Sequence, residues 1–364
     1  MYPNKTPTPS RQQSQFRYLG ALKIAGITIL IGVVITFFAT RPEQIPAPET
    51  RTGYIETLAA KSGARIKLDD VGKFQLLQNN HILINDGENQ QILKVNLSTG
   101  ESTKLFDTKQ FGTHPFRGNG KVTAAESFLV ETENKLYVRL RGRETEPLLR
   151  VDITDGTFEV LVTPPPENSF THGPIIIDDK IVVTFRQSDG LVFLSLDGTE
   201  DHRILASKRF KNFTLGFDPS TILATDGRNL LYRIDVVSGK ETVLTSGTTL
   251  EFREFDNDEI TYTYDVYPTG VPTEVPNGEV FVALNSKHGG CAFIGKVVST
   301  TEIEHIAGSA PSCHGTDPAP ALEGAIQGSF LALTEAGDLL IAGHHQIQRI
   351  VGVTPPFQSA TNSR

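Results

Sequence analysis

Leu93-Lys-Val-Asn-Leu-Ser-Thr-Gly100 recurs as Leu149-Arg-Val-Asp-Ile-Thr-Asp-Gly156 and again as Tyr232-Arg-Ile-Asp-Val-Val-Ser-Gly239. The shared form is apolar–basic–apolar–Asp/Asn–apolar–x–x–Gly, and Leu194-Ser-Leu-Asp-Gly198 is a shortened copy. Apolar residues at alternate positions have strand periodicity. Asp, Asn and Ser favour the turn that follows, and glycine accepts positive φ there. A second apolar pair comes next, Val160-Leu161 or Val243-Leu244, so each copy reads as a hairpin leading into an outer strand. The turn glycines stand at 100, 156, 198 and 239, steps of 56, 42 and 41 residues. A multi-stranded unit repeating every ~40–50 residues is the signature of propeller blades.

Outward from these hairpins, apolar β-branched runs predict strands at His81–Asn85, Lys135–Leu140, Lys180–Phe185, Asp258–Tyr264, Glu279–Leu284 and Gly328–Leu333. The spacing gives an all-β propeller of six blades, with seven as the alternative count. The last unit, Ser329–Gly352, holds only three strands, while Tyr54-Ile-Glu-Thr-Leu58 is a free strand at the other end. We expect that strand to complete the last sheet, because a closed ring leaves no long edge open to aggregation.

The repeat resembles the blades of TolB-like proteins and the propeller domains of dipeptidyl-peptidase-type enzymes. The resemblance spans residues 73–246; residues 247–328 depart from it. Propellers of this kind serve as protein-binding platforms, as lids over a peptidase domain and occasionally as lyase or lactonase scaffolds. The resemblance therefore implies a fold and leaves the activity open. The absence of Trp separates the chain from WD-repeat and pyrroloquinoline-quinone propellers, whose repeats commonly carry one.

Residues 18–40, YLGALKIAGITILIGVVITFFAT, form one apolar stretch preceded by Lys5, Arg11 and Arg17, with no acidic residue before Glu43. About 20 apolar residues cross a bilayer core, and the positive-inside rule keeps residues 1–17 in the cytoplasm. A cleaved signal peptide is the competing reading, but cleavage after Ala39 would put Phe37 where a small residue is wanted. Thr28, Gly32 and Thr36 share a helix face and could support a weak homodimer. Arg41–Arg51 holds three prolines and reads as a stalk. The expected organisation is a cytoplasmic tail (1–17), an anchor (18–40), the stalk (41–51), a propeller ectodomain (52–353) and a disordered tail (354–364). The propeller is thereby placed outside the cytoplasm at the cell membrane.

Four of the 34 Lys and Arg and none of the 42 Asp and Glu fall in residues 1–40, so the first 40 carry +4 and the remainder −12. An acidic ectodomain suits neither nucleic acid nor anionic lipid, both of which are bound by releasing counterions to Lys and Arg.

No G-x-S-x-G nucleophile elbow occurs, so a serine triad is not expected; His288-Gly-Gly290 reads as a turn. His288, Cys291, Cys313 and His314 are the local cluster with metal-ligand chemistry, but their spacing is not that of a zinc ribbon. In an oxidising compartment a Cys291–Cys313 disulfide is the simpler expectation, with unpaired thiols or a metal as alternatives. The acidic run Glu251, Glu254, Asp256, Asp258, Glu259 reads as a hairpin turn before a calcium loop. His344-His345 reads as structural, in a late strand. No cofactor fingerprint is present, so no cofactor is expected. Thr163–His172, Tyr267–Asn277 and Ala310–Gln327 read as long recognition loops. The function expected is a non-enzymatic binding or scaffolding module for an envelope protein, peptide or glycan. The alternative is a propeller lyase or lactonase with a metal in the central channel, for which His, Asp and Glu from several blades would have to converge.

Overall fold

The computed structural model describes residues 53–357, except 61–65, 68–70, 78–79, 87–88, 114–123, 133, 142–145, 164–169, 186–188, 205–207, 227, 255–256, 287–291, 309–318, 323, 327, 329 and 344–345. The chain enters with β1 (Tyr54–Ala60) and the short β2 (Ile66–Lys67). Four antiparallel four-stranded sheets follow in chain order. The first holds β3 (Val71–Leu77), β4 (His81–Asp86), β5 (Gln91–Asn96) and β6 (Ser102–Asp107). The second holds β7 (Ala124–Thr132), β8 (Lys135–Arg141), β9 (Leu148–Asp152) and β10 (Phe158–Val162). The third holds β11 (Phe170–Ile177), β12 (Lys180–Phe185), β13 (Leu191–Ser195) and β14 (Glu200–Ile204). The fourth holds β15 (Phe210–Leu215), β16 (Thr221–Asp226), β17 (Leu231–Asp235) and β18 (Glu241–Thr245).

The remaining strands join in one eleven-stranded sheet. One part of it is β19 (Thr248–Glu254), β20 (Asn257–Glu274), β21 (Val280–Ser286), β22 (Ala292–Val297) and β23 (Ile303–Ala307). The other is β24 (Ala319–Pro320), β25 (Phe330–Leu333), β26 (Leu339–Ala342) and β27 (Gln346–Ile350), together with β1 and β2. A single parallel pair, Val271 with Phe330, connects the two parts. Strands β3, β7, β11, β15, β20 and β25 each lie against the next, and β25 returns to β3. The molecule is thus an all-β propeller with β3, β7, β11, β15, β20 and β25 innermost.

Closure runs as the sequence anticipates. β1 pairs antiparallel with β27, Ile55 opposite Ile350 and Glu56 opposite Arg349, so the first strand of the chain completes the last sheet. Between sheets, alternate residues of the second strand face opposite neighbours. Leu83 joins Leu136 and Val138 of the second sheet in one buried cluster. Ile82 and Ile84 instead meet Leu340, Ala342 and Ile347 of the closing sheet. Each such Leu, Ile or Val side chain, fully withdrawn from water, stabilises the ring by ~1.5–3 kcal/mol.

The repeat is read correctly down to its turn. Asn96 Oδ1 accepts hydrogen bonds from the Ser98 and Thr99 amides at 2.8 and 3.0 Å, and Asp235 Oδ1 accepts from the Ser238 amide at 2.7 Å. Gly100 and Gly239 follow at φ 76° and 69°. The basic residue of the motif is a fastener. Arg150 forks onto Glu131, with Nε–Oε2 at 2.7 Å, and Arg233 pairs with Glu274. Outside the motif, Lys296 of β22 makes a similar pairing, with Glu304 at 2.6 Å and with Glu279 at 3.4 Å. Burial and the neighbouring Glu131 carboxylate push the Tyr137 phenol, beside this fork, above its ordinary value.

Two expected loops are corrected. Tyr267–Glu274 is not a loop: it is the second half of β20 and pairs with β21 on either side of a register break. Prolines are tolerated in a strand whose donor side lacks a partner. β19 follows β20 only as far as Val266, after which the Val271–Phe330 pair is the sole strand pairing on that side. Gly270, at φ 68°, lies within the irregular register between Thr269 and Thr273. Likewise Phe170–His172 belongs to β11.

In β23, burial holds the His305 imidazole below its ordinary value, with Nε2 3.0 Å from the Ala307 carbonyl oxygen. A depressed folded-state value means the neutral ring is favoured by folding. That stability is present above the unfolded value near 6.5 and is lost as pH falls through the lower folded value. Urea midpoints of the full chain should therefore fall between pH 7 and 5 more steeply than those of His305→Phe; parallel curves would reject this.

Candidate functional site

The turns from first to second strand and from third to fourth strand lie on one face of the ring. The Leu97 amide donates to Asn80 O and the Val236 amide to Ser220 O, tying each pair of turns together. The chain enters on this face too, Gly53 N donating to Val351 O at 2.7 Å. Asp155, Asp178, Asp179, Asp197, Asp218 and Glu335 are exposed on these turns. Lys240 is the one Lys or Arg among their described residues. Hydrogen bonds from Thr157 hold the Asp155 carboxyl below the usual range, and those from Thr199 do the same for Asp197. The face is therefore anionic at neutral pH.

On it, between the closing sheet and the first sheet, opens a cleft of about 510 Å³. Its apolar walls come from Leu76 and Leu77 at the end of β3, Leu333 at the end of β25, Ala336 and Phe357. The polar lining is Asn80, Thr334, Glu335, Asp338 and Arg349. The β25–β26 turn that shapes the rim requires Gly337, at φ 85°. Thr354 N donates to Gly337 O at 3.1 Å and Phe357 N to Glu335 O at 2.9 Å. These bonds fold Phe357, which the sequence reading assigns to the C-terminal tail, against the turn.

At the floor of the cleft Arg349 is mostly buried, its side chain 15% exposed. Its guanidinium donates to Glu56 Oε1, the Nε bond measuring 2.6 Å, and Nη1 lies 3.6 Å from Asp338 Oδ2. Asp338 Oδ1 also accepts from the Gly352 amide at 2.8 Å. Counting Glu335, the cleft carries three carboxylates against one guanidinium. A shallower hollow of about 260 Å³ on the second sheet includes Lys135, Arg150 and Glu159. Arg150 there is already committed to Glu131.

His288, Cys291, Cys313 and His314 all lie outside the described residues, as do His344, His345 and the segment 18–40 with Thr28, Gly32 and Thr36. The acidic run falls on the β19–β20 hairpin, Glu254 opposite Asn257, as the turn reading expects; Asp256 itself is outside the description. Among the described residues, no group of three His, Cys, Asp or Glu could hold a metal ion. Among them, too, no helix is long and apolar enough to cross a membrane. The cleft residues escaped the sequence reading. The one available signal was the Thr334-Glu-Ala-Gly-Asp338 turn, which resembles the other turns too closely to stand out.

No protein-family model matches the chain, and no curated protein matches it. Many solved structures share the fold. A Bacteroides thetaiotaomicron protein of unknown function is 12% identical, with TM-score 0.54, over 81% of this chain and 75% of that one. A luciferin-regenerating enzyme is 14% identical, with TM-score 0.51, over 84% and 97%. A gluconolactonase from Xanthomonas campestris is 14% identical, with TM-score 0.50, over 84% and 92%. At these identities the likeness concerns the propeller fold alone, and the TolB-like resemblance rests on the repeat residues.

Proposed function

We propose that this chain is a six-bladed propeller that binds a protein or peptide of the cell envelope, tethered by residues 18–40 with the ring outside the cytoplasm. The observation that carries the reading is the cleft over Arg349, whose volume lies in the range of ligand sites (~300–1,000 Å³) and whose walls are apolar with few polar groups. The six-blade count is supported by the six innermost strands in mutual contact. The tether, its orientation and the Cys291–Cys313 disulfide are supported by the sequence arguments above.

A second reading, a propeller lactonase or lyase, is favoured by the fold likeness to a gluconolactonase and a luciferin-regenerating enzyme. These neighbours support an enzyme better than they support a scaffold. Such chemistry on a channel metal needs convergent ligands, which the described residues do not supply.

One preparation tests both readings. The full chain, carrying a photo-crosslinking residue at Ala336 or, as control, at Glu159 on the outer strand of the second sheet, is illuminated in envelope membranes and then extracted in detergent. Binding predicts a discrete adduct from position 336 alone. Adducts equal at both positions, together with divalent-cation-dependent opening of a sugar lactone by the same preparation, would replace the first reading by the second.

A further inference from the structure

We propose that the cleft over Arg349 takes a cationic side chain of its partner, a lysine or arginine flanked by an apolar residue. This inference rests on the binding reading above and names what is recognised. Glu335 and Asp338 line the cleft and Glu56 lies beneath it, while Arg349 is the cation among them, a net charge of −2. The Arg349 guanidinium is directed at Glu56 and Asp338, so an anionic ligand would meet carboxylates before it met a donor. Elsewhere on the same face, the turns of the second, third and fourth sheets carry Asp155, Asp178, Asp197 and Asp218 against Lys240. A face of one sign draws oppositely charged ligands toward it and speeds their encounter.

A bare metal ion is a poor occupant, because no three carboxylates of the described residues come within ligand distance of one point. Leu76, Leu77 and Phe357 offer instead an apolar wall along which the methylene stem of Lys or Arg can lie, its head reaching Glu335. The cleft, at about 510 Å³, also exceeds one side chain, leaving room for an adjoining apolar residue. A peptide fits this description better than a free amine.

The test uses the full chain in detergent and two fluorescent tetrapeptides, Lys-Leu-Phe-Lys and Glu-Leu-Phe-Glu, followed by anisotropy. The lysine peptide is expected to bind at least about tenfold more tightly than the glutamate peptide, and less tightly as salt rises. Glu335→Gln should weaken it about two- to fivefold, the size of one exposed charge pair. Ala336→Arg, a change on an exposed turn, should abolish binding.

Equal binding of both peptides, blocked by Ala336→Arg, would overturn the charge selection and leave the binding reading standing. Lysine-peptide binding untouched by either substitution would overturn the location. If butylamine competes as well as the peptide does, the peptide assignment fails. Failure of both peptides alongside a position-336 adduct in membranes would reject this inference alone, whereas loss of the adduct as well would reject both.

Discussion

Arg349→Ala is expected to lower the melting temperature of the full chain by roughly 6–20 °C, from a cost of ~3–5 kcal/mol and ~2–4 °C per kcal/mol for a chain of this order of size. Truncating Arg349 leaves Glu56 and Asp338 enclosed without their counter-charge, and removing one partner of a buried pair costs far more than the pair contributes. Glu56 and Arg349 also face each other across the β1–β27 ladder, where the two ends of the chain meet. The loss therefore falls on the contact that closes the ring. Removing both charges with volume retained, Arg349→Met with Glu56→Leu, should restore much of the stability. A double variant no better than the single one would show that the loss is one of packing. A melting temperature within about 2 °C of wild type for Arg349→Ala would sink the argument. Deleting 52–59 should abolish the cooperative transition altogether, since it strips the last sheet of its outer strand.

What the sequence reveals is what neighbouring residues decide. The turn of Asp235-Val-Val-Ser-Gly239 is local chemistry: a carboxylate three residues from the amide it caps, and a glycine at positive φ. The three full copies and the shortened one could be read from it. The closure by β1 was legible for a different reason, a count of strands that left the last sheet one short. Tyr267–Glu274 was misread because Pro268 and Pro272 lower strand propensity, whereas an unpartnered inner edge removes the penalty, and only the tertiary arrangement creates that edge. Glu274 belongs to the same blind spot. It ends that strand, accepts the Phe217 amide at 2.9 Å and holds Arg233, so the motif's basic residue finds its acid in the next sheet. The cleft was invisible for a related reason. Leu76, Asp338 and Phe357 come from opposite ends of the sequence and meet through closure. The interior positions of the repeat carry strand signal; the rim that shapes the cleft carries the turn signal of the other repeats.

Gly337→Ala is expected to cost ~2–4 kcal/mol and to weaken capture of a cationic peptide, and its comparison with Gly278→Ala separates two causes that act together at most turns. Both glycines have positive φ, 85° and 83°, so each substitution carries the left-handed penalty of ~1–2 kcal/mol for an L-residue. At Gly278 a Cβ would meet nothing within 4 Å. At Gly337 it would stand 2.0 Å from the Thr354 carbonyl oxygen, a backbone atom that cannot swing aside as a side chain can. The segment carrying Thr354 would have to leave the turn, taking with it the Thr354–Gly337 hydrogen bond and the packing of Phe357 against the closing sheet. Denaturant midpoints should then place Gly278→Ala near the backbone penalty and Gly337→Ala clearly below it. Equal losses would mean that the C-terminal segment moves freely and that Phe357 does not wall the cleft. A Gly337→Ala protein that is destabilised as expected yet binds Lys-Leu-Phe-Lys unchanged would separate the wall from recognition. Recognition would then rest on Glu335 and the leucines of β3, because the remaining charge and apolar surface of the cleft come from residues this substitution leaves in place.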